Sequence, residues 1–274
     1  MKIRQIAFLI FFILIACLYI LKPTIDNPLL ILYLVAPIGG TIIGLIASKF
    51  YGFKNPRGKA LLLITGGLAC YSVAEIIWTV SIITATEQVQ STTSMADIFF
   101  LSAYPFFFAG IYQSYKAAEI KVKKIKKSLL IKVVPLSLAL MGLVLYFGVY
   151  KTYNPTLDPL TNTLNVSYGL IDLFLVISSL LTILVSNEYK GGKLASFWNI
   201  ITVGFLFTLV ADIASSIYAD QYLDGVKPYT YIDLIWTAAY LLMAYAILED
   251  YMHGLQVRNK IKLMLTQRKQ EVGV

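Results

Sequence analysis

Long apolar runs separated by short polar segments dominate the chain, and each is long enough, or nearly so, to cross a bilayer core that takes roughly 20 apolar residues in a helix. Eight runs are legible: Ile6 to Leu21, Leu29 to Ala47, Ala60 to Ala85, Met95 to Ser114, Leu129 to Tyr150, Val166 to Val185, Leu194 to Tyr218 and Tyr231 to Ala246. Most of the segments between them carry turn chemistry, as in KPTIDNP, FKNPRGK, NPTLDP and DGVKP, and none is long enough to be a soluble domain. The pattern predicts an all-α, polytopic membrane protein of about eight transmembrane helices.

Composition agrees. Of 274 residues, 58% are hydrophobic and 14% charged, with a mean hydropathy of +0.73; soluble domains run nearer one quarter charged, so a soluble globular enzyme is excluded. With the N-terminus cytoplasmic, twenty of the 23 Lys and Arg residues fall on the inner side, and only Lys22, Lys151 and Lys227 fall outside. The positive-inside rule therefore predicts a multi-pass cell-membrane protein with both termini cytoplasmic. Read by position, the net charge of +8 is a topology signal and an attraction to anionic lipid headgroups, not a nucleic-acid surface. Cys17 and Cys70 lie inside apolar runs and offer neither a disulfide framework nor a metal-ligand cluster. Leu14-Ile15-Ala16-Cys17 imitates a lipoprotein signal, but apolar residues continue through Leu21, as in a first membrane helix.

Self-comparison finds a repeat. Val73-Ala74-Glu75-Ile76 after Gly67 returns as Val210-Ala211-Asp212-Ile213 after Gly204, 137 residues on. At a shift of 136, Asp97, Phe100, Ala103 and Tyr104 pair with Asp233, Trp236, Ala239 and Tyr240; Tyr33 and Tyr168 align the second and sixth runs more weakly. Four spans per unit is an even number, so the expected architecture is two parallel four-helix repeats, residues 1–119 and 120–250. A basic amphipathic tail, 251–274, follows. The basic run KAAEIKVKKIKKSLLIK then joins the halves on the cytoplasmic side as a solvated linker touching headgroups.

The informative polar residues are the acids placed where lipid should be. Glu75, Asp172 and Asp212 fall within spans, and Asp97 and Asp233 just inside the outer ends of theirs, so all five cluster toward the external half. Helical spacing puts Tyr71, Glu75 and Trp78 on one face, Asp97, Leu101, Tyr104 and Phe108 on another, and Tyr168 with Asp172 on a third. Thr208, Asp212 and Ser215 form a further stripe, as do Asp233, Trp236, Thr237 and Tyr240. A carboxylate at the bilayer centre costs at least ~2.5 kcal/mol on insertion scales, so these stripes should face the bundle interior. No Lys or Arg lies at matching depth. Two readings stand: a site for a bound cation, amine or proton, or acid–tyrosine pairs such as Asp97 with Tyr104 and Asp233 with Tyr240 acting as helix glue.

Other signals are lesser. Gly40 and Gly44 form a GxxxG suited to internal close packing. Pro37, Pro105 and Pro135 loosen helix hydrogen bonding locally. Asn165-Val166-Ser167 is a glycosylation sequon on the outer side, close to the membrane. Val257, Ile261, Met264 and Leu265 share one face of a tail helix beside Arg258, Lys260, Lys262 and Lys269, the pattern of an amphipathic surface helix, or of a coiled coil too short to stand on its own.

Enzyme readings fail on inventory. The single histidine, His253, lies in the tail, so HExxH and other histidine-based zinc sites are absent, as are GxSxG and a mid-span Lys for a retinal Schiff base. Asp172 and Asp212 are two aspartates without the GxGD of intramembrane aspartyl proteases. No cofactor-binding motif and no metal site is expected.

The acids and their neighbours carry a family resemblance. STTSMADIFFLSAYPFFFAGIY resembles the "PSxADxxYLxxYPLxxxGL" segment of the integral-membrane sensor region found in front of some bacterial diguanylate cyclases with GGDEF and EAL domains, and of some archaeal histidine kinases. AEIIW resembles its "GDxxW", and YGLIDLFLV its "YPxxDxxLL". The stretch from Val210 to Leu248 is similar to "ADxxYxxxxxxGxYxxGxxxDxxWxxGYLLxxLA". The resemblance covers roughly 60–112 and 168–247 and implies a membrane-embedded signal-input module, with Glu75, Asp97, Tyr104, Asp172, Asp212, Asp233, Trp236 and Tyr240 at its signature positions. Those sensors continue into an output domain, whereas this sequence stops at Val274, so output is expected from a cytoplasmic signalling partner. The expected function is thus sensory or receptor-like, taking a small cationic or amphiphilic ligand or protons in an outer pocket. The alternative is an ion- or proton-coupled carrier, against which the acids sit shallow and no broken helix pair is evident.

Overall fold

Hydrocarbon offers no partner for a backbone N–H or C=O, so a chain of long apolar runs must close its own hydrogen bonds as helices. The computed structural model describes residues 3–21, 27–84, 93–117, 127–189 and 193–272, and among them there are helices and turns but no strand. In chain order the helices are α1 (Ile3–Leu21), α2 (Asn27–Tyr51), α3 (Pro56–Thr84), α4 (Met95–Ala117), α5 (Lys127–Val144), α6 (Pro159–Tyr189), α7 (Lys193–Ile217), the short α8 (Ala219–Leu223) and α9 (Ile232–Val272). α5 runs directly into a π-helical turn, Leu145–Tyr150.

Among the described residues, seven helices are long and apolar enough to cross a membrane: α2, α3, α4, α5 with its π turn, α6, α7 and α9. In α1 the described apolar stretch, Ile6–Leu18, falls short of that length. The architecture is that of an all-helical, multi-pass membrane protein. The basic run between the halves lies largely outside the described residues.

Six helices close a ring. α2 packs on α3, α3 on α4, α4 on α6, α6 on α7, α7 on α9, and α9 back on α2, while α1 and α5 lie outside it, α1 against α2 and α9 and α5 against α6. In this order α3 stands opposite α7, and α4 opposite α9. The ring turns apolar side chains both ways, as a lipid solvent requires: Ile42, Ile76, Val80 and Val210 are exposed, while Leu68, Phe107, Trp198, Phe205, Met243 and Ile247 are buried. Small residues set the spacing between helices. A Cβ on Gly67 would lie 2.5 Å from the Phe107 ring, one on Gly204 would press on Met243 at 3.1 Å, and one on Gly40 would meet Ala244 at 3.3 Å. The GxxxG pair thus packs inside this chain, Gly40 against α9 and Gly44 against Thr65 of α3.

Two helix starts are built by side chains. Asp158 caps α6: its Oδ1 accepts the Leu160 and Thr161 N–H groups at 2.9 and 3.1 Å, and its Oδ2 the Thr161 hydroxyl at 2.6 Å, with Pro159 in the first helical position. At α4, the Ser94 hydroxyl accepts the Ala96 N–H at 3.1 Å while Asp97 Oδ2 accepts the Ser94 N–H at 2.6 Å, a capping box closed by aspartate.

At the other end of the ring, which carries Lys49, Arg57 and Arg258 and is called the basic end below, Arg57 donates to Asp250 through Nη2 (2.6 Å) and Nε (3.3 Å). Its guanidinium also lies 4.5 Å from the Phe197 ring centre, and the Tyr51 hydroxyl donates to the Asp250 carbonyl at 2.9 Å. This cluster ties the start of α3 to α7 and α9.

The tail corrects the sequence reading. α9 runs 41 residues without a break, from Asp233 past Asp250 to Val272, about 60 Å at 1.5 Å per residue. A separate helix lying on the membrane surface needs a break or bend after Ala246; instead the helix continues, carrying exposed Val257, Ile261, Met264 and Leu265 with it. The sequon residue Asn165 lies within α6, near its start.

Candidate functional site

At the end of the ring where α3 finishes and α4 and α9 begin, the apolar interior gives way to a cavity of about 320 Å³. Every helix of the ring contributes to its wall: Tyr33 from α2, Glu75 and Trp78 from α3, Asp97 and Tyr104 from α4, Tyr168 from α6, Asp212 from α7, and Asp233, Trp236 and Tyr240 from α9. Nine of the ten residues singled out from sequence therefore line one space. The tenth, Asp172, does not line it. It is fully buried on α6 beside Asp212 and Tyr104, and neither of its carboxylate oxygens has a hydrogen-bond partner.

The carboxylates occupy two tiers. Glu75, only 3% exposed, accepts the Tyr33 hydroxyl at 2.9 Å and the Tyr240 hydroxyl at 2.7 Å, both on Oε1. Asp212 Oδ1 accepts the Trp236 indole N–H at 2.6 Å. Trp236 and Tyr240 are one helical turn apart on α9, so a single face of that helix holds both carboxylates, one from each of two opposite walls. Nearer the helix ends, Asp97 Oδ1 accepts the Tyr168 hydroxyl at 2.7 Å and Asp233 Oδ1 the Tyr222 hydroxyl at 2.5 Å. Tyr222 belongs to the short α8 and sets its ring edge-on to Trp236 at 6.0 Å, over the mouth.

These pairs correct the expected ones. Asp97 bonds Tyr168 and not Tyr104, and Tyr240 bonds Glu75 and not Asp233. Residues at i and i+7 share a helix face, but they are separated by about 10 Å along the axis, beyond the reach of a carboxylate and a phenol. Tyr33, Tyr168, Tyr222 and Tyr240 each reach an acid on another helix, Tyr222 from the short α8 just before α9.

The rest of the wall is aromatic and hydroxylic. Tyr71 packs against Phe100 and Tyr240, with ring centres 5.9 and 5.5 Å apart, and Thr79, Thr208, Ser215 and Ser216 add hydroxyls. Among the described residues, no Lys, Arg or His lines the cavity. Among the described residues, no three His, Cys, Asp or Glu side chains group closely enough to hold a metal ion.

Sequence reasoning passed over Tyr222, Thr79 and Asn165 as lining residues, and placed Tyr33 only as the repeat partner of Tyr168. That pairing was the available signal for Tyr33, since Tyr168 already stood beside an acid. Tyr222 sits in a connection with no periodicity to mark it. Compared with known proteins, the chain matches no family model, no curated sequence and no solved structure.

Proposed function

We propose that this chain is a membrane-embedded receptor-like module that binds a small cationic ligand at the acidic end of its helix ring and passes the event along α9 to a signalling partner. The observation that carries the reading is the lining of the cavity: four carboxylates and nine aromatic rings, with no basic side chain among the described lining residues. Carboxylates supply charge-assisted hydrogen bonds to an ammonium group, and aromatic faces attract cations in a site shielded from water. The volume of about 320 Å³ lies at the small end of ligand sites. With the acids spread over four helices, the arrangement suits an extended organic cation better than a bare metal ion.

The proposed topology has eight spans, α1 included, in two parallel four-helix repeats. A half-turn about the ring axis exchanges α2, α3 and α4 with α6, α7 and α9, and each contact between neighbouring ring helices has its counterpart under that exchange. The Gly67 contact with Phe107 and the Gly204 contact with Met243 are one such pair. The distribution of Lys and Arg supports cytoplasmic termini, which puts the cavity on the outer side and the α9 extension inside. The likeness of the quoted sequence segments to membrane sensor regions supports the same assignment.

Thermal unfolding of the purified full chain with a panel of primary, quaternary and aromatic amines tests this reading. A saturable rise in melting temperature that is lost in Asp212→Asn is expected. Uptake of the same amine into proteoliposomes would assign the cavity to a carrier instead, and absence of any amine-dependent shift would remove the ligand-binding reading.

A further inference from the structure

The two inner carboxylates come from opposite walls of the ring, and their hydrogen bonding is lopsided. Glu75 takes both of its tyrosine donors on Oε1, and Oε2 receives no hydrogen bond among the described residues although the side chain is nearly fully buried and lines the cavity. Asp212, across the cavity, is held through Oδ1 by Trp236. The outer pair is committed elsewhere: Asp97 closes the α4 capping box and bonds Tyr168, and Asp233 bonds Tyr222.

From this arrangement we infer that the ligand is a dication, a short flexible molecule with a protonated amine at each end, one amine on Glu75 and the other on Asp212. The inference rests on the ligand-binding reading above and narrows it. A single ammonium would pair with one of the two inner carboxylates that line the cavity, and a second ammonium gives the other a partner too, where an ionised acid left alone is costly. Two ammonium groups compensate both. Trp236 and Tyr240 lie four residues apart on α9, about 6 Å along its axis, so the carboxylates they hold are offset by about one turn in that direction, and both line the same cavity. The rings of Tyr71 and Phe100 give those methylenes an apolar wall.

Calorimetric titration of the full chain in detergent with 1,4-diaminobutane and 1,5-diaminopentane, against butylamine and pentylamine at the same pH and ionic strength, tests the proposal. The diamines are expected to bind about tenfold tighter or more, the scale of one added charge-assisted contact. Glu75→Gln and Asp212→Asn should each bring diamine and monoamine to within about threefold of one another. Equal wild-type affinity for diamines and monoamines overturns the dication and leaves an amine site standing. Binding of neither overturns both readings. The wild-type contrast decides even if a variant fails to fold.

Discussion

Glu75 shows how one residue type serves two ends. Its Oε1 joins α2, α3 and α9 through Tyr33 and Tyr240, which is helix glue in a literal sense, while its other oxygen is left to the cavity. Of the two readings open at the level of sequence, glue is what Oε1 does, and the ligand site is what is proposed for the other oxygen. Replacing Tyr240 by Phe removes one donor and keeps the ring packed against Tyr71. Unfolding in detergent should show a loss of about 2 kcal/mol, the scale of a hydrogen bond to a charged acceptor; a change within experimental error would mean that Tyr33 alone satisfies Glu75. That these acids face the interior was legible in the sequence, because a carboxylate in an apolar run must turn away from lipid. Their partners were not legible, because pairing depends on which helices become neighbours, and periodicity describes one helix at a time.

Among the elements, α9 and α6 make the sharpest predictions. α9 places Trp236 and Tyr240 in the cavity, Asp250 in the basic-end cluster and its exposed extension beyond, all on one rigid helix. Arg57 and Asp250 are only 16% and 14% exposed, so Asp250→Ala should cost about 2 kcal/mol. It should also loosen α9 against α3 and α7, raising hydrogen exchange between Ile247 and Val257 and leaving the cavity end protected. Unchanged exchange there would remove the cluster as a coupling point.

For α6, hydrogen bonds from the Thr161 hydroxyl and backbone N–H, with that of Leu160, hold Asp158 below the usual aspartate pKa. A group whose folded pKa is lowered stabilises the fold above its unfolded pKa, and that contribution fades as pH falls through the folded value. Exchange in the first turn of α6 should therefore rise as pH drops below the ordinary aspartate range, once corrected for intrinsic exchange, and Asp158→Ala should abolish this dependence. Where the last span ends was not legible because amphipathic spacing reports a face and not a break, and with no proline between Ala246 and Val257 the helix runs on through Gly254.

For the whole molecule, the proposed repeat pairs Glu75 with Asp212 and Asp97 with Asp233, and these acids lie on α3, α7, α4 and α9 of one closed ring. A single row of residues predicts that the second unit resembles the first, but not that the two close around a common space. That closure follows from α2 meeting α9 and α4 meeting α6. The proposed orientation predicts that a cysteine placed at Lys227, in the connection before α9, reacts with a membrane-impermeant maleimide in intact cells, while one at Gln267 reacts only after permeabilisation. The opposite labelling would invert the molecule and put the cavity in the cytoplasm.

The most direct test of the central claim, a cation held between Glu75 and Asp212, is native mass spectrometry of the full chain after exposure to a small-molecule extract of its host cells. The comparison is wild type against the Glu75→Gln, Asp212→Asn double variant. The account predicts a small basic adduct on the wild type, absent from a double variant that remains folded. A bare wild-type mass, or a lipid adduct carried equally by both forms, would contradict it.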